Sequence, residues 1–145
     1  MRDLPRQLSA DELAELFEGR TRLVEHLADS EDPLGRPENV IASLTEAEKI
    51  EALEAHPAIG AQRLSKRSAR EQGQDAEPEV AAELKRLNRA YEERFGFRFV
   101  VFVNRRPRAD LVPILRARLA RTRDEELTTA LEELVAIARD RWRQG

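Results

Sequence analysis

The pattern Ser/Thr-x-x-Glu stands directly ahead of apolar residues at helical spacing at Ser9/Glu12, Thr45/Glu48 and Thr122/Glu125. In such a pair the hydroxyl accepts a hydrogen bond from the backbone N–H three residues on, and the carboxylate reaches back to the first N–H. Each pair therefore marks a helix start. The first leads into Leu13, Leu16 and Phe17, the second into Ile50 and Leu53, the third into the stripe Leu127, Leu131, Leu134, Ala138 with Trp142 nearby. Between them, Leu23, Val24 and Leu27 predict a short helix after Gly19, and Pro37 opens another bearing Val40, Ile41 and Leu44. Residues 30–37 hold Pro33, Gly35 and Pro37 and read as a loop. The helix begun at Thr45 is predicted to end at His56, because the residue before Pro57 is pushed out of helical geometry.

The strongest amphipathic run is Val80, Leu84, Leu87, Tyr91 and Phe95, with Pro78 near its start and Gly96 just past its end. Asp110 is read as the cap of a later helix burying Leu111, Ile114, Leu115 and Leu119, with Pro113 in its first turn. Residues 62–77 are polar and read as mostly loop with one short helical turn. The β-like run Phe97-Arg98-Phe99-Val100-Val101-Phe102-Val103 has no partner strand to pair with, so a buried extended segment among helices is expected over 97–103. The fold expectation is all-α: one compact multi-helix domain over residues 1–145 with that single extended segment.

Charged residues make up 37% of the chain and aromatics 5%, which favours helices with wet outer faces over a β-sandwich. With no cysteine, the chain has no disulfides, thiolate zinc sites, iron–sulfur clusters or cysteine nucleophile. Two histidines, His26 and His56, argue against a histidine-rich metal centre. A net charge of −3 lacks the basic field of a dedicated nucleic-acid binder. No apolar run reaches membrane-span length, and the first residues, MRDLPRQLSADELAEL, are not of signal-peptide type. Nor is the final Arg143-Gln144-Gly145 a peroxisomal address, so a cytoplasmic protein is expected.

Chemistry concentrates at a few positions. His56 sits at a helix end, where the dipole favours an imidazolium and a proton donor is held near neutral pH. The same place suits a histidine that only satisfies the last carbonyls of its helix, and position alone favours that second reading. Ser68-x-x-Glu71-Gln72 has the capping pattern but leads into Gly73-Gln74-Asp75, with nothing to bury. It is either a ligand-facing polar set or a capped surface turn. Arg141 and Arg118 extend apolar stripes toward the core, where an arginine needs an anion. Snorkelling at the stripe edge is the competing reading for each. His26 falls off its stripe and is expected in solvent, and Tyr91 and Trp142 read as core or boundary aromatics. Arg98, Arg105, Arg106 and Arg108 read as a solvated loop, with a phosphate-contacting role as the weaker choice.

Taken in order, His56-Pro57-Ala58-Ile59-Gly60, Ser68-x-x-Glu71-Gln72 and Leu87-Asn88-x-x-Tyr91-x-x-x-Phe95-Gly96-Phe97-x-Phe99-Val100 make a recognisable set. Over residues 46–141 the chain resembles the 2-oxo-4-hydroxy-4-carboxy-5-ureidoimidazoline (OHCU) decarboxylase family of urate breakdown. The resemblance implies an all-helical, cofactor-free homodimeric enzyme that converts OHCU, a small-molecule substrate, to (S)-allantoin. By motif it makes His56, Glu71 and Arg141 catalytic, with Arg118 as the reserve arginine. Pro57, Ser68, Gln72 and the backbone of Phe99, Val100, Val101, Phe102 and Val103 become substrate-binding positions. The histidine count, charge balance and lack of an apolar run leave no metal, nucleic acid or membrane expected. The competing expectations are a family relative acting on another small ureido acid, a non-catalytic helical interaction module, and a nucleic-acid binder using the arginine-rich loop.

Overall fold

The computed structural model describes residues 3–57 and 78–145. Among them the backbone forms helices and connecting loops with no strand. The helices are α1 (Ala10–Phe17), α2 (Arg22–Ala28), α3 (Glu38–Ser43), α4 (Glu46–Ala55), α5 (Pro78–Phe95), α6 (Arg108–Leu119) and α7 (Arg123–Gln144). The capping boxes at Ser9/Glu12, Thr45/Glu48 and Thr122/Glu125 are complete, each with both reciprocal hydrogen bonds. Thr21 caps α2 by accepting from the Val24 N–H. Helix α5 ends where glycine was read as its stop: Gly96 takes φ +79°, a left-handed conformation that costs glycine little.

The apolar stripes face one core. Leu13, Leu16 and Phe17 of α1, Leu23, Val24 and Leu27 of α2, and Leu53 of α4 are buried together with Leu131, Leu134 and Ala138 of α7. Helix α7 packs on both α1 and α4, α2 packs on α1, α3 and α4, and α5 pairs with α6. The loop ahead of α3 is tied into this assembly, since the Arg139 side chain of α7 donates to the Leu34 carbonyl and the Asp32 N–H donates to the Arg6 carbonyl.

Between α5 and α6 runs the extended segment 97–103, with Phe97, Phe99, Val100, Val101 and Val103 buried. Tyr91 of α5 organises its start: its ring centre lies 4.6 Å from that of Phe95, 6.0 Å from Phe97 and 5.1 Å from Phe99, tilted or edge-on in each case. Burial strips this segment of water without giving it a neighbouring strand, so side chains take over part of its backbone. Arg118 donates to the Val100 carbonyl at 2.7 Å, Arg106 to the carbonyls of Phe102 and Val103, and Glu133 accepts from the Phe102 N–H at 3.2 Å.

Two boundaries differ from the sequence reading. Helix α6 begins at Arg108, so Pro113 lies inside it and not in its first turn, and Asp110 sits in the first turn instead of capping it. Pro37 is the residue before α3, not its first helical residue. The reading of 62–77 as loop falls outside the described residues. No helix among the described residues is long and apolar enough to cross a membrane.

Candidate functional site

His56 closes α4 from an extended backbone position (φ −84°, ψ 134°), the geometry that the following proline imposes. Its N–H returns to the Leu53 carbonyl at 3.2 Å. Its carbonyl accepts from Arg98 at 2.6 Å, and the same Arg98 nitrogen reaches the Glu54 carbonyl at 3.0 Å. The guanidinium is balanced by Glu54 at 3.3 Å and Glu92 at 3.8 Å. Arg98 therefore locks the last turn of α4 from the segment that follows α5. The reading of Arg98 as part of a solvated loop is overturned: its neighbours Phe97 and Phe99 are buried, and their burial places the arginine against the open carbonyls of α4.

The imidazole itself is 7% exposed, and its Nδ1 has no hydrogen-bond partner among the described residues. Burial pushes its pKa down to about 4, the Arg141 charge adds to that, Glu18 opposes it and Arg98 adds a little more. The expectation of a dipole-stabilised imidazolium is thus corrected. A helix terminus favours the cation by at most about 2 kcal/mol, and here desolvation beside two arginines prevails. At neutral pH His56 is a neutral base held in a dry place.

Arg141 projects from the last turn of α7 and is 2% exposed. It donates to the Leu16 carbonyl at 2.8 Å, and its guanidinium lies 3.3 Å from the Glu18 carboxylate. Glu18 follows α1 with φ 61° and ψ 30°, a left-handed backbone at which a non-glycine residue costs about 1 kcal/mol. Gly19 comes next, and a β-carbon there would stand 3.1 Å from that of Ala55. The corner between α1 and α2 thus lies directly against the end of α4, beside His56.

Arg118 is buried too, so the stripe-edge reading fails for both arginines. Their surroundings separate them. Arg118 pairs with the fully buried Glu126 at 2.7 Å, holds the Val100 carbonyl and lies 4.6 Å over the Phe99 ring. Its Nη2 has no partner among the described residues. Glu126 also accepts from the Tyr91 hydroxyl at 2.6 Å and pairs with Arg121 at 2.8 Å. Burial and the bond to Glu126 push the Tyr91 pKa up, so it stays a neutral donor. Of these two arginines, Arg141 is the one whose charge acts on His56.

Of the sequence candidates, the structure brings together His56, Pro57 and Arg141, while the buried Phe99, Val100, Val101 and Val103 and the partly buried Phe102 form the segment behind Arg98. Ser68, Glu71 and Gln72 lie outside the described residues. Among the described residues, side chains hold the carbonyls of Val100, Phe102 and Val103 and the N–H of Phe102. His26 is exposed, as expected. Sequence reasoning missed Glu18, Arg98 and Glu126. Glu126 had a readable signal, because it stands four residues before Ala130 and eight before Leu134 on the buried face of α7. Glu18 had none, since it lies beyond the end of its helix. Among the described residues no group of three or more histidine, aspartate or glutamate side chains is placed to hold a metal ion.

Fold and site together define a small all-helical domain that keeps a neutral imidazole under two arginines at the junction of α1, α4 and α7. A sequence model of the OHCU decarboxylase family matches residues 2–143, and the chain belongs to that family. The match extends the resemblance through the α1–α2 corner that carries Glu18. Uric acid degradation bifunctional protein PucL of Bacillus subtilis (strain 168) is 32% identical over 147 aligned positions, covering 93% of this chain. This chain spans about 30% of the length of that relative. The fold is similar to a crystal structure of OHCU decarboxylase in the presence of (S)-allantoin (TM-score 0.73, 20% identity, 90% of this chain and 94% of that one). It is also similar to a crystal structure of (S)-allantoin synthase (TM-score 0.68, 22% identity, 91% of this chain and 47% of that one).

Proposed function

We propose that this chain decarboxylates OHCU and delivers the proton that makes the product (S)-allantoin. The observation that carries the reading is the buried, neutral His56 with an unpaired Nδ1 among the described residues, in a member of the OHCU decarboxylase family. The two solved structures of similar fold bear the names of this substrate's decarboxylase and of this product's synthase, which supports the same pairing.

The chemistry follows from the substrate. The bond from the ring carbon to its carboxylate breaks, carbon dioxide leaves, and the electron pair runs into the adjacent C=N, whose nitrogen gains a proton, so that one proton is taken up overall. The hydroxyl on the same carbon becomes a carbonyl and gives up its proton, while the carbon bearing the ureido group gains one. His56, neutral at rest, takes the hydroxyl proton and returns it to one face of that carbon. Arg141 orients the anionic oxygens, and Glu71 holds the ureido donors and supports the transient imidazolium. Burial matters twice here: it keeps the imidazole basic in form and excludes the water that would protonate either face. Pro57, Ser68, Gln72 and the remaining backbone groups of 99–103 are the proposed substrate contacts, in a cytoplasmic homodimer.

Spontaneous decay of OHCU gives racemic allantoin, so chirality reads the enzyme directly. Freshly prepared OHCU mixed with this protein is expected to yield one hand. His56→Asn is expected to remove turnover by at least about 100-fold with the helical circular dichroism intact. A racemic product from the native protein refutes the decarboxylase reading, and full activity in His56→Asn removes this residue from the mechanism. An interaction module without catalysis predicts racemate throughout.

A further inference from the structure

No sequence motif pointed to the α1–α2 corner of this site. Glu18 occupies a left-handed backbone position (φ 61°) that glycine or asparagine would take at lower cost, yet its side chain is only 15% exposed. That conformation turns the carboxylate inward, 3.3 Å from the guanidinium of Arg141, which also donates to the Leu16 carbonyl of the same corner at 2.8 Å. Gly19 lets the corner approach Ala55, the residue before His56, at a distance where a β-carbon would stand 3.1 Å from that of Ala55. One short turn thus touches the arginine from α7 and borders the histidine that ends α4.

We infer that Glu18 is a positioning residue of the decarboxylation site, fixing the Arg141 guanidinium in its productive orientation beside His56. The inference rests on the decarboxylase reading above and adds a residue to it. An arginine side chain has four soft torsions, and two contacts from one rigid corner remove most of that freedom before substrate arrives. A carboxylate rather than a second carbonyl is needed because two arginines, Arg141 and Arg98, act on the same imidazole. Glu18 is the acidic group among the three charges acting on His56. Without it the site would resist the imidazolium that the proton transfer requires.

The test uses Glu18→Gln and Glu18→Gly in the full chain. Glutamine keeps shape and removes charge. Glycine relieves the left-handed backbone, so the chain is expected to fold. Both variants are expected to lose at least about tenfold in kcat/KM per folded molecule, with KM raised as well as kcat lowered, as for a misplaced binding group. The ring protons of His56, followed by NMR, are expected to titrate at lower pH than in the native protein.

Native kinetic constants per folded molecule, or an unmoved His56 titration, overturn the inference. So does a Glu18→Gly chain that no longer folds, because that assigns the carboxylate to the fold alone. If the native protein does not turn over OHCU, the decarboxylase reading fails, and the His56 titration in the two variants decides by itself whether Glu18 acts on this imidazole.

Discussion

Two buried arginines, Arg118 and Arg141, lie on stripes of neighbouring helices, and their partners give them different work. Arg118 is clasped by Glu126, which is itself buried beneath Tyr91 and Arg121, and its remaining reach goes to the backbone of Val100. Removing one member of such a buried set leaves the other charge stranded, at a cost of about 3–5 kcal/mol. Arg118→Ala is therefore expected to lower the midpoint of denaturant unfolding sharply while the surviving folded molecules keep most of their rate. Arg141→Ala is expected to do the reverse in kind: its partner Glu18 retains some access to water, and the loss falls on kcat/KM per folded molecule. Unfolding curves and rates measured on the same two preparations settle the assignment. If Arg118→Ala alone is slow when folded, Arg118 is the site arginine and Arg141 belongs to the fold.

Helix ends set the geometry at the next scale. The start of α4 is fixed by its capping box and the end by the Arg98 clamp, so His56 inherits a defined position from both. The segment that carries Arg98 leaves α5 through Gly96, whose φ of +79° reverses the chain. A β-carbon at Gly96 would meet nothing within 4 Å, which separates the backbone effect from any clash. Gly96→Ala is accordingly expected to cost about 1–2 kcal/mol, the penalty of a left-handed alanine. A urea titration reads it as a lower midpoint with an unchanged slope. A neutral result would mean that the segment can leave α5 by another path, and that Arg98 is not held in register by this turn.

Across the whole molecule, what the sequence made legible was whatever obeys local rules. The three capping boxes, the Gly96 stop, the stripe of α5 and the buried 97–103 run all follow from patterns within a few residues, and the structure has them. His56 and Arg141 were singled out by a helix end and an apolar stripe, and motif order added Pro57. The contacts that join them were not legible, because Glu18 to Arg141 and Arg98 to His56 are pairings across 123 and 42 positions, set by packing. The protonation state of His56 is of the same kind. The dipole is local and favours the cation, whereas desolvation belongs to the assembled core and favours the neutral ring. That choice has a consequence for the stability of the entire chain. With a pKa of about 4 folded against 6.5 unfolded, the unfolded chain binds a proton that the native one refuses at any pH between those values. Stability must then rise with pH through this window, and the contribution is lost as pH falls from 6.5 toward 4, to a total of about 3 kcal/mol. Glu48, Glu83 and Glu125, whose carboxyls are held below their ordinary value of 4.5 by cap and arginine hydrogen bonds, contribute in the same direction only below that value. Above 4.5 these carboxyls add little, so comparison with His56→Asn reads the His56 contribution between 4.5 and 6.5. The His56 contribution to the unfolding free energy is expected to differ by about 2 kcal/mol between about pH 7 and about pH 5, so the native protein is expected to lose about that much more than His56→Asn over this interval. Equal pH slopes in the two proteins would mean that the imidazole is wet and titrates normally. The dry, basic His56 on which the proton transfer depends would then be absent.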